Sequence, residues 1–204
     1  MDMGWPERLG IGLGLAIGLG SLASVTYAQY RDRGEGPAFD LILSDGAFEL
    51  RDYAPMIVAE TTHSGDRRSA SGKSFGRLAA YIFAKDRPEG GETIAMTAPV
   101  LQEETRDNIW RMRFVMPERY TLETLPAAPD DIALTQVPAR RVAAVRFSGN
   151  GSARDLARMA ASLSEWIASR GLKPKGDVEY AFYDAPMVPG PLRRNEALIE
   201  VVAE

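Results

Sequence analysis

The chain has 204 residues, 45% of them hydrophobic, a formal net charge of −4, no cysteine and one histidine, His63. That is enough apolar content for one sizeable core plus an appendage, and the mild acidity gives no electrostatic footing for a nucleic-acid partner. Disulfides, thiolate nucleophiles and cysteine-based metal sites are excluded, and any catalytic scheme has a single imidazole to draw on.

Residues 9–28 carry no charge. This is the length of a bilayer-spanning helix, and its densest apolar part, 9–19, also suits a signal-peptide core with a small-residue cleavage site at 26–28. Residues 1–28 are therefore expected to be a signal peptide or a membrane anchor. The folded part is then placed outside the cytoplasm, periplasmic, secreted or tethered, with the membrane as a partner through this segment. Residues 29–38, charged and containing Gly and Pro, read as a linker. The folded domain is expected over 39–204.

Within it, a shift of 84 positions superposes the patterns of two halves, about 39–117 and 130–204. Val58-Ala59 falls on Val142-Ala143, Ser64-Gly65 on Ser148-Gly149, and Phe114-Val115 on Leu198-Ile199. In the first half, strands are expected at 48–52 and 56–62, then a polar loop at 65–71. A helix over 74–85 follows, its apolar face made of Phe75, Leu78, Ala79, Ile82 and Phe83. Pro88 and Gly90-Gly91 end it. The stretch 94–100, Ile-Ala-Met-Thr-Ala-Pro-Val, alternates Ile94, Met96 and Ala98 on one parity and reads as a strand bent at Pro99. A further strand spans 109–116.

The second half repeats the order. Strands are expected at 132–137 and 141–147. A helix opens on a capping box of Ser152 and Asp155, with apolar positions at Leu156, Met159, Ala160, Leu163, Trp166 and Ile167. Strands at 178–183 and 197–202 complete it. The expected fold is α+β: pseudo-twofold duplicated ββαββ units forming a curved eight-stranded antiparallel sheet or split barrel with two helices. The seam between halves would leave a groove for a small molecule.

Few residues offer chemistry. Gly72-Lys73-Ser74-Phe75-Gly76 matches the G-x-S-x-G pattern of serine hydrolases. Ser74, however, opens an amphipathic helix instead of following a core strand, and His63 precedes it in the chain, so the context for an elbow is wrong. His63 is either a plain loop histidine or the one conventional nitrogen ligand the chain could offer a metal. Tyr53, Tyr81 and Met96 are further candidates, each read first as core or rim. The acidic pairs Glu103-Glu104 and Asp130-Asp131 read as solvated turns. Arg140-Arg141 and Arg193-Arg194 read as solvated edges or as clamps for carboxylates.

Several strings together carry a resemblance. They are 48–55 (Phe-Glu-Leu-Arg-Asp-Tyr-Ala-Pro), the helix through Phe75 to Phe83, the stretch 94–100, Phe114-Val115-Met116-Pro117 with Tyr120, Tyr183-Asp184-Ala185-Pro186, and Arg193-Arg194-Asn195-Glu196 leading into Ile199-Glu200-Val201. In this order over most of 39–204, they resemble the SOUL haem-binding protein family. That family is similar to the effector-binding domains of certain transcription regulators. The resemblance implies non-enzymatic, non-covalent binding of haem or another tetrapyrrole in a hydrophobic groove, often without a strong protein ligand to iron. It directs attention to the first helix and its flanks, where the cofactor-binding candidates are Phe75, Leu78, Arg77, Lys73, Met96 and His63, with His63 the candidate metal ligand. The alternatives are a module recognising a protein or an amphipathic ligand without haem, and a serine hydrolase using Ser74.

Overall fold

The structure is a computed structural model that describes residues 36–87 and 91–202. Strands β1 (Phe39–Asp45), β2 (Phe48–Tyr53) and β3 (Met56–Ser64) lead into helix α1 (Arg67–Ile82). Strands β4 (Val100–Arg106), β5 (Ile109–Val115), β6 (Ala133–Val137) and β7 (Arg140–Phe147) follow, then helix α2 (Ala153–Ser169). The short β8 (Lys173–Pro174), then β9 (Glu179–Phe182) and β10 (Asn195–Val202) end the order. All pairings are antiparallel, in the order β1-β2-β7-β10-β9-β4-β5-β3-β6, with β8 on β10.

The two faces of this curved, half-barrel sheet follow from alternation along the strands. In β3, Ala59 points to α1 and packs with Leu78, Tyr81, Ile82, Met112 and Phe114. In β7, Ala143 and Val145 point to α2 and pack with Leu156, Leu163, Trp166 and Ile167. The intervening Val58, Val142 and Ala144 face the other way and meet Leu101, Val115, Ala181 and Leu198. No described helix covers that face, yet Val58 and Val142 are 0% exposed within this third cluster.

Local chemistry fixes the ends. Gly46, at φ +63°, closes the turn between β1 and β2, in the left-handed region that favours glycine. Helix α2 opens as expected on Ser152, whose side chain accepts from Asp155 N, and Gly171 at φ +66° follows its end. Trp166 of α2 stacks on Phe48 at 5.5 Å and donates to Asp45 Oδ2 at 3.0 Å, tying the first hairpin to the second helix.

Four sequence expectations are corrected. The sheet has ten strands, not eight, because β1 and β8 join it. The stretch 94–99 is not a strand: its backbone runs from Ile94 N, bonded to Ile82 O at the end of α1, to Thr97, whose hydroxyl caps Val115 O at 2.6 Å. Strand pairing begins only at Val100, after the cis Ala98–Pro99 bond. The polar loop expected at 65–71 is largely helix, since Asp66 accepts from Ser69 N and starts α1 at Arg67. The helix also stops at Ile82, short of Lys85, with Phe83 as its C-cap. The apolar segment 9–28 lies outside the described residues. Among the described residues no helix is long and apolar enough to cross a membrane.

Candidate functional site

Helix α1 crosses β3 and β5, and its three sides have different surroundings. Ala70, Ser74, Leu78 and Tyr81 form the buried side. Arg67, Ser71 and Phe75, spaced by four, make one stripe that faces the middle of the sheet. Ser71 Oγ donates to Gln102 Oε1 at 2.9 Å, and Phe75 meets Phe114 edge-on at 5.4 Å between ring centres. Lys73 and Arg77 lie on the side of the helix opposite Phe75, because two residues turn a helix by about 200°. There Arg77 holds Asp131 through Nε and Nη2, both at 2.5 Å, and also pairs with Asp86.

The sheet beneath the stripe is built in two rows. Val100 lies between Phe114 on β5 and Phe182 on β9, and Gln102 lies between Met112 and Tyr180. These residues share a parity and hence the helix-bearing face. Three strands at about 4.8 Å spacing make the row Phe114–Val100–Phe182 roughly 10 Å wide. This is the seam, with α1 packed on the β3–β5 side and α2 on the β7–β10 side. Gly151, just before α2, supports it: a Cβ there would lie 2.8 Å from Phe182 Cε1.

Arg67 stands over the seam. Its Nη2 donates to Gly151 O at 2.6 Å and its Nη1 to Gln102 Oε1 at 3.4 Å, and its guanidinium lies 5.8 Å from the centre of the Phe182 ring. Burial pushes its pKa down from the ordinary value, partly offset by Tyr180. Burial likewise raises the Tyr180 phenol, partly offset by Arg67.

The predicted site residues therefore divide. Phe75, 40% exposed, lies at the seam, and Met96, 45% exposed, sits on the 94–99 segment. Leu78 is 0% exposed and belongs to the core beneath α1. Lys73 is exposed, and Arg77 is occupied by two carboxylates. His63 ends β3 on the face toward α1, its Nδ1 2.9 Å from Ser74 Oγ. Ser74 is itself buried, so no substrate carbonyl can approach its hydroxyl. His63, the chain's one histidine, is thus turned to Ser74 and not to the Phe75 stripe. Among the described residues no group of three or more His, Asp or Glu side chains is placed to hold a metal ion.

The other face carries most of the ionic chemistry. A cleft of about 280 Å3 there is lined by residues including Glu103, Arg111, Arg113, Arg140, Lys175 and Glu179. Arg113 bridges Glu60 at 2.8 Å and Glu179 at 2.9 Å, and Arg140 holds Glu179 at 2.7 Å. Farther along the same face, Arg51 and Glu196 form a bidentate pair at 2.7 and 3.0 Å, both about fully buried. Tyr183 OH donates to Glu196 at 2.8 Å and Arg194 Nη2 at 2.9 Å. Burial would raise the Glu196 carboxyl, but Arg51, Arg194 and Tyr183 outweigh it and hold its pKa at about 2. Arg141 is bidentate to Asp52, and Arg193 donates to the carbonyls of Val188 and Pro186. The arginine pairs foreseen as carboxylate clamps are thus bound within the protein. Glu103, read as part of a solvated turn, is half-buried in β4 and paired with Arg111. Sequence reasoning missed Arg67, whose neighbours Asp66, Arg68 and Ser69 look like ordinary loop.

No curated protein matches the chain. Among solved structures, the EcmrR C-terminal domain is similar, with a TM-score of 0.59 at 14% identity over 77% of this chain and 98% of that one. A hydrolase from Listeria innocua gives 0.55 at 13% identity, over 79% of this chain and 94% of that one. The EcmrR chain in a complex with DNA gives 0.59 at 13% identity, covering 90% of this chain and 65% of that one. At these identities the likeness concerns the fold alone. Residues 34–200 match the SOUL heme-binding protein family, and with most of its length covered the chain belongs to that family.

Proposed function

We propose that the domain binds haem or a related tetrapyrrole non-covalently at the seam beside α1, with the macrocycle held by apolar contact and not by a strong axial ligand. Family membership supports the ligand class. The observation that carries the site is Phe75, an aromatic side chain left 40% exposed where α1 meets a floor of Phe114, Val100 and Phe182. Burial of a flat apolar guest supplies the driving force. The engagement of His63 with Ser74, one helix face away from Phe75, supports binding without histidine coordination. Burial of Ser74 argues against the hydrolase alternative.

Two further elements belong to this reading. The domain is proposed to be a duplicated ββαββ unit. In support, the sheet reads outward from the β4–β9 pair as β5, β3, β6 on one side and β10, β7, β2 on the other. The domain is also proposed to act outside the cytoplasm, exported or tethered by residues 1–28, on the strength of the uncharged 9–28 segment.

Titration of the purified domain with hemin tests the binding. A saturable shift of the Soret band with one equivalent is expected, and its absence overturns the reading. His63→Ala is expected to leave the bound spectrum unchanged, whereas a changed spectrum makes His63 a ligand.

A further inference from the structure

We propose that a cleft at the β4–β5 turn, walled by Trp110 and Tyr180, is a binding site for a small aliphatic amine carrying primary ammonium groups. It adjoins the seam at Tyr180, but nothing in the inference rests on the tetrapyrrole reading.

The cleft lies one row beyond the two that floor the seam. After Gln102 on β4 the next residue on the helix-bearing face is Glu104, whose partner on β5 is Trp110. A cleft of about 330 Å3 opens there, lined by residues including Glu104, Arg106, Asp107, Trp110, Asp177 and Tyr180.

Three observations point to its guest. First, Tyr180 is only 7% exposed and lines the cleft, yet its hydroxyl makes no hydrogen bond among the described residues. A buried phenol ordinarily has a partner, and here the cleft is the side from which one can come. Second, the side chains of Asp107 and Asp177 are exposed and form no ion pair or hydrogen bond among the described residues. The carboxylates elsewhere on the sheet are matched: Asp52, Glu60, Glu103, Glu179 and Glu196 each hold an arginine. With Glu104, the cleft gathers three negative charges against one lining cation, Arg106. Third, the half-buried Trp110 supplies an aromatic ring, which attracts a cation within about 6 Å of its centre.

The chemistry narrows the cation. Among the described residues no three carboxylates are close enough to hold a metal ion, so these acids are spaced for something larger. A primary ammonium has three N–H donors, and Asp107, Asp177 and the Tyr180 oxygen are three acceptors on one cleft. A quaternary ammonium has the charge but no N–H to offer the phenol. The ring of Trp110 and the side chain of Val178 give the methylenes of an aliphatic amine an apolar wall.

The test is calorimetric titration of the full-length protein with 1,4-diaminobutane and with its hexamethyl bis-quaternary counterpart, which keeps both charges and the chain and removes every N–H. Saturable binding of one equivalent of the diamine is expected, with the quaternary compound at least tenfold weaker. Asp177→Asn and Asp107→Asn, both at exposed positions, are each expected to weaken the diamine several-fold. Tyr180→Phe is expected to bring the two compounds closer in affinity, because it removes the acceptor that only the diamine uses. Asp130→Asn makes the same charge change at an exposed position outside the cleft and is expected to alter nothing. Circular dichroism checks that the variants are folded, and the wild-type comparison needs none of them. Absence of saturable diamine binding overturns the proposal. So do equal wild-type affinities for the two compounds, or an Asp130→Asn loss as large as that of Asp177→Asn, which would mark a general attraction of cations to an acidic protein.

Discussion

The face of the sheet that no described helix covers and the seam beside α1 treat arginine in opposite ways. On the first, Arg51 and Glu196 are sunk together, at 1% and 0% exposure, and every lone pair of the carboxylate is engaged. On the second, Arg67 is half-buried against a carbonyl, an amide and a ring. A matched buried pair costs little once made and a great deal when one member is lost. An unmatched cation costs something from the start, and its removal should cost the fold little. Charge that holds the fold and charge that does not can be told apart by that asymmetry.

The largest expected effect breaks the first region. Glu196→Ala leaves Arg51 with Glu49 and the Tyr53 hydroxyl and should lower unfolding stability by about 4 kcal/mol in urea titrations. Leu78→Ala, on the buried side of α1, should cost about 3 kcal/mol by cavity formation, read the same way. Acid should dissect the Glu196 pair in the wild-type protein. A folded pKa of about 2 against the ordinary 4.5 gives stability that is fully present above pH 4.5 and is lost as pH falls toward 2. The amount is on the order of 3 kcal/mol at about 1.4 kcal/mol per pH unit, and Glu196→Ala should lack this acid limb. Phe75→Ala, at the exposed edge of the seam, should cost about 1 kcal/mol of stability while weakening hemin roughly tenfold in a Soret titration. The smallest effect is Arg67→Gln, about 0.5 kcal/mol by urea unfolding. A loss as large as that of Glu196→Ala would erase the distinction between the two regions.

Much of this was legible in the residues, unevenly. Helix α2 declared itself through the Ser152 cap and Gly171, because its apolar stripe is wide and its ends carry strong local chemistry. The start of α1 was hidden. Its first two turns, Arg67 to Lys73, bury only Ala70 and otherwise bind through polar atoms, so they lack the apolar period that marks a helix. Strand β1 was missed for a related reason: six of its seven residues are exposed and pairing with β2 is what orders it. The 94–100 stretch misled in the other direction. Ile94 and Met96 have strand parity but different fates, 1% and 45% exposed, because the backbone between α1 and β5 is not pleated. At the site, Phe75 could be picked out as an aromatic on the first helix. Arg67 could not, since its isolation depends on which β4 residue faces it, and that is set by the β4–β9 register.

The strand order has one more consequence. Strand β2 pairs with β7 and β6 pairs with β3, so each half of the chain lends a strand to the sheet region of the other. The halves are clasped like linked fingers. A single cut in the exposed stretch around Thr121 and Glu123 would sever the connection without releasing either piece, because the fragments would still be held by main-chain bonds on both sides of the β4–β9 seam. The row of Phe114, Val100 and Phe182 beneath Phe75 is thus braced from both flanks.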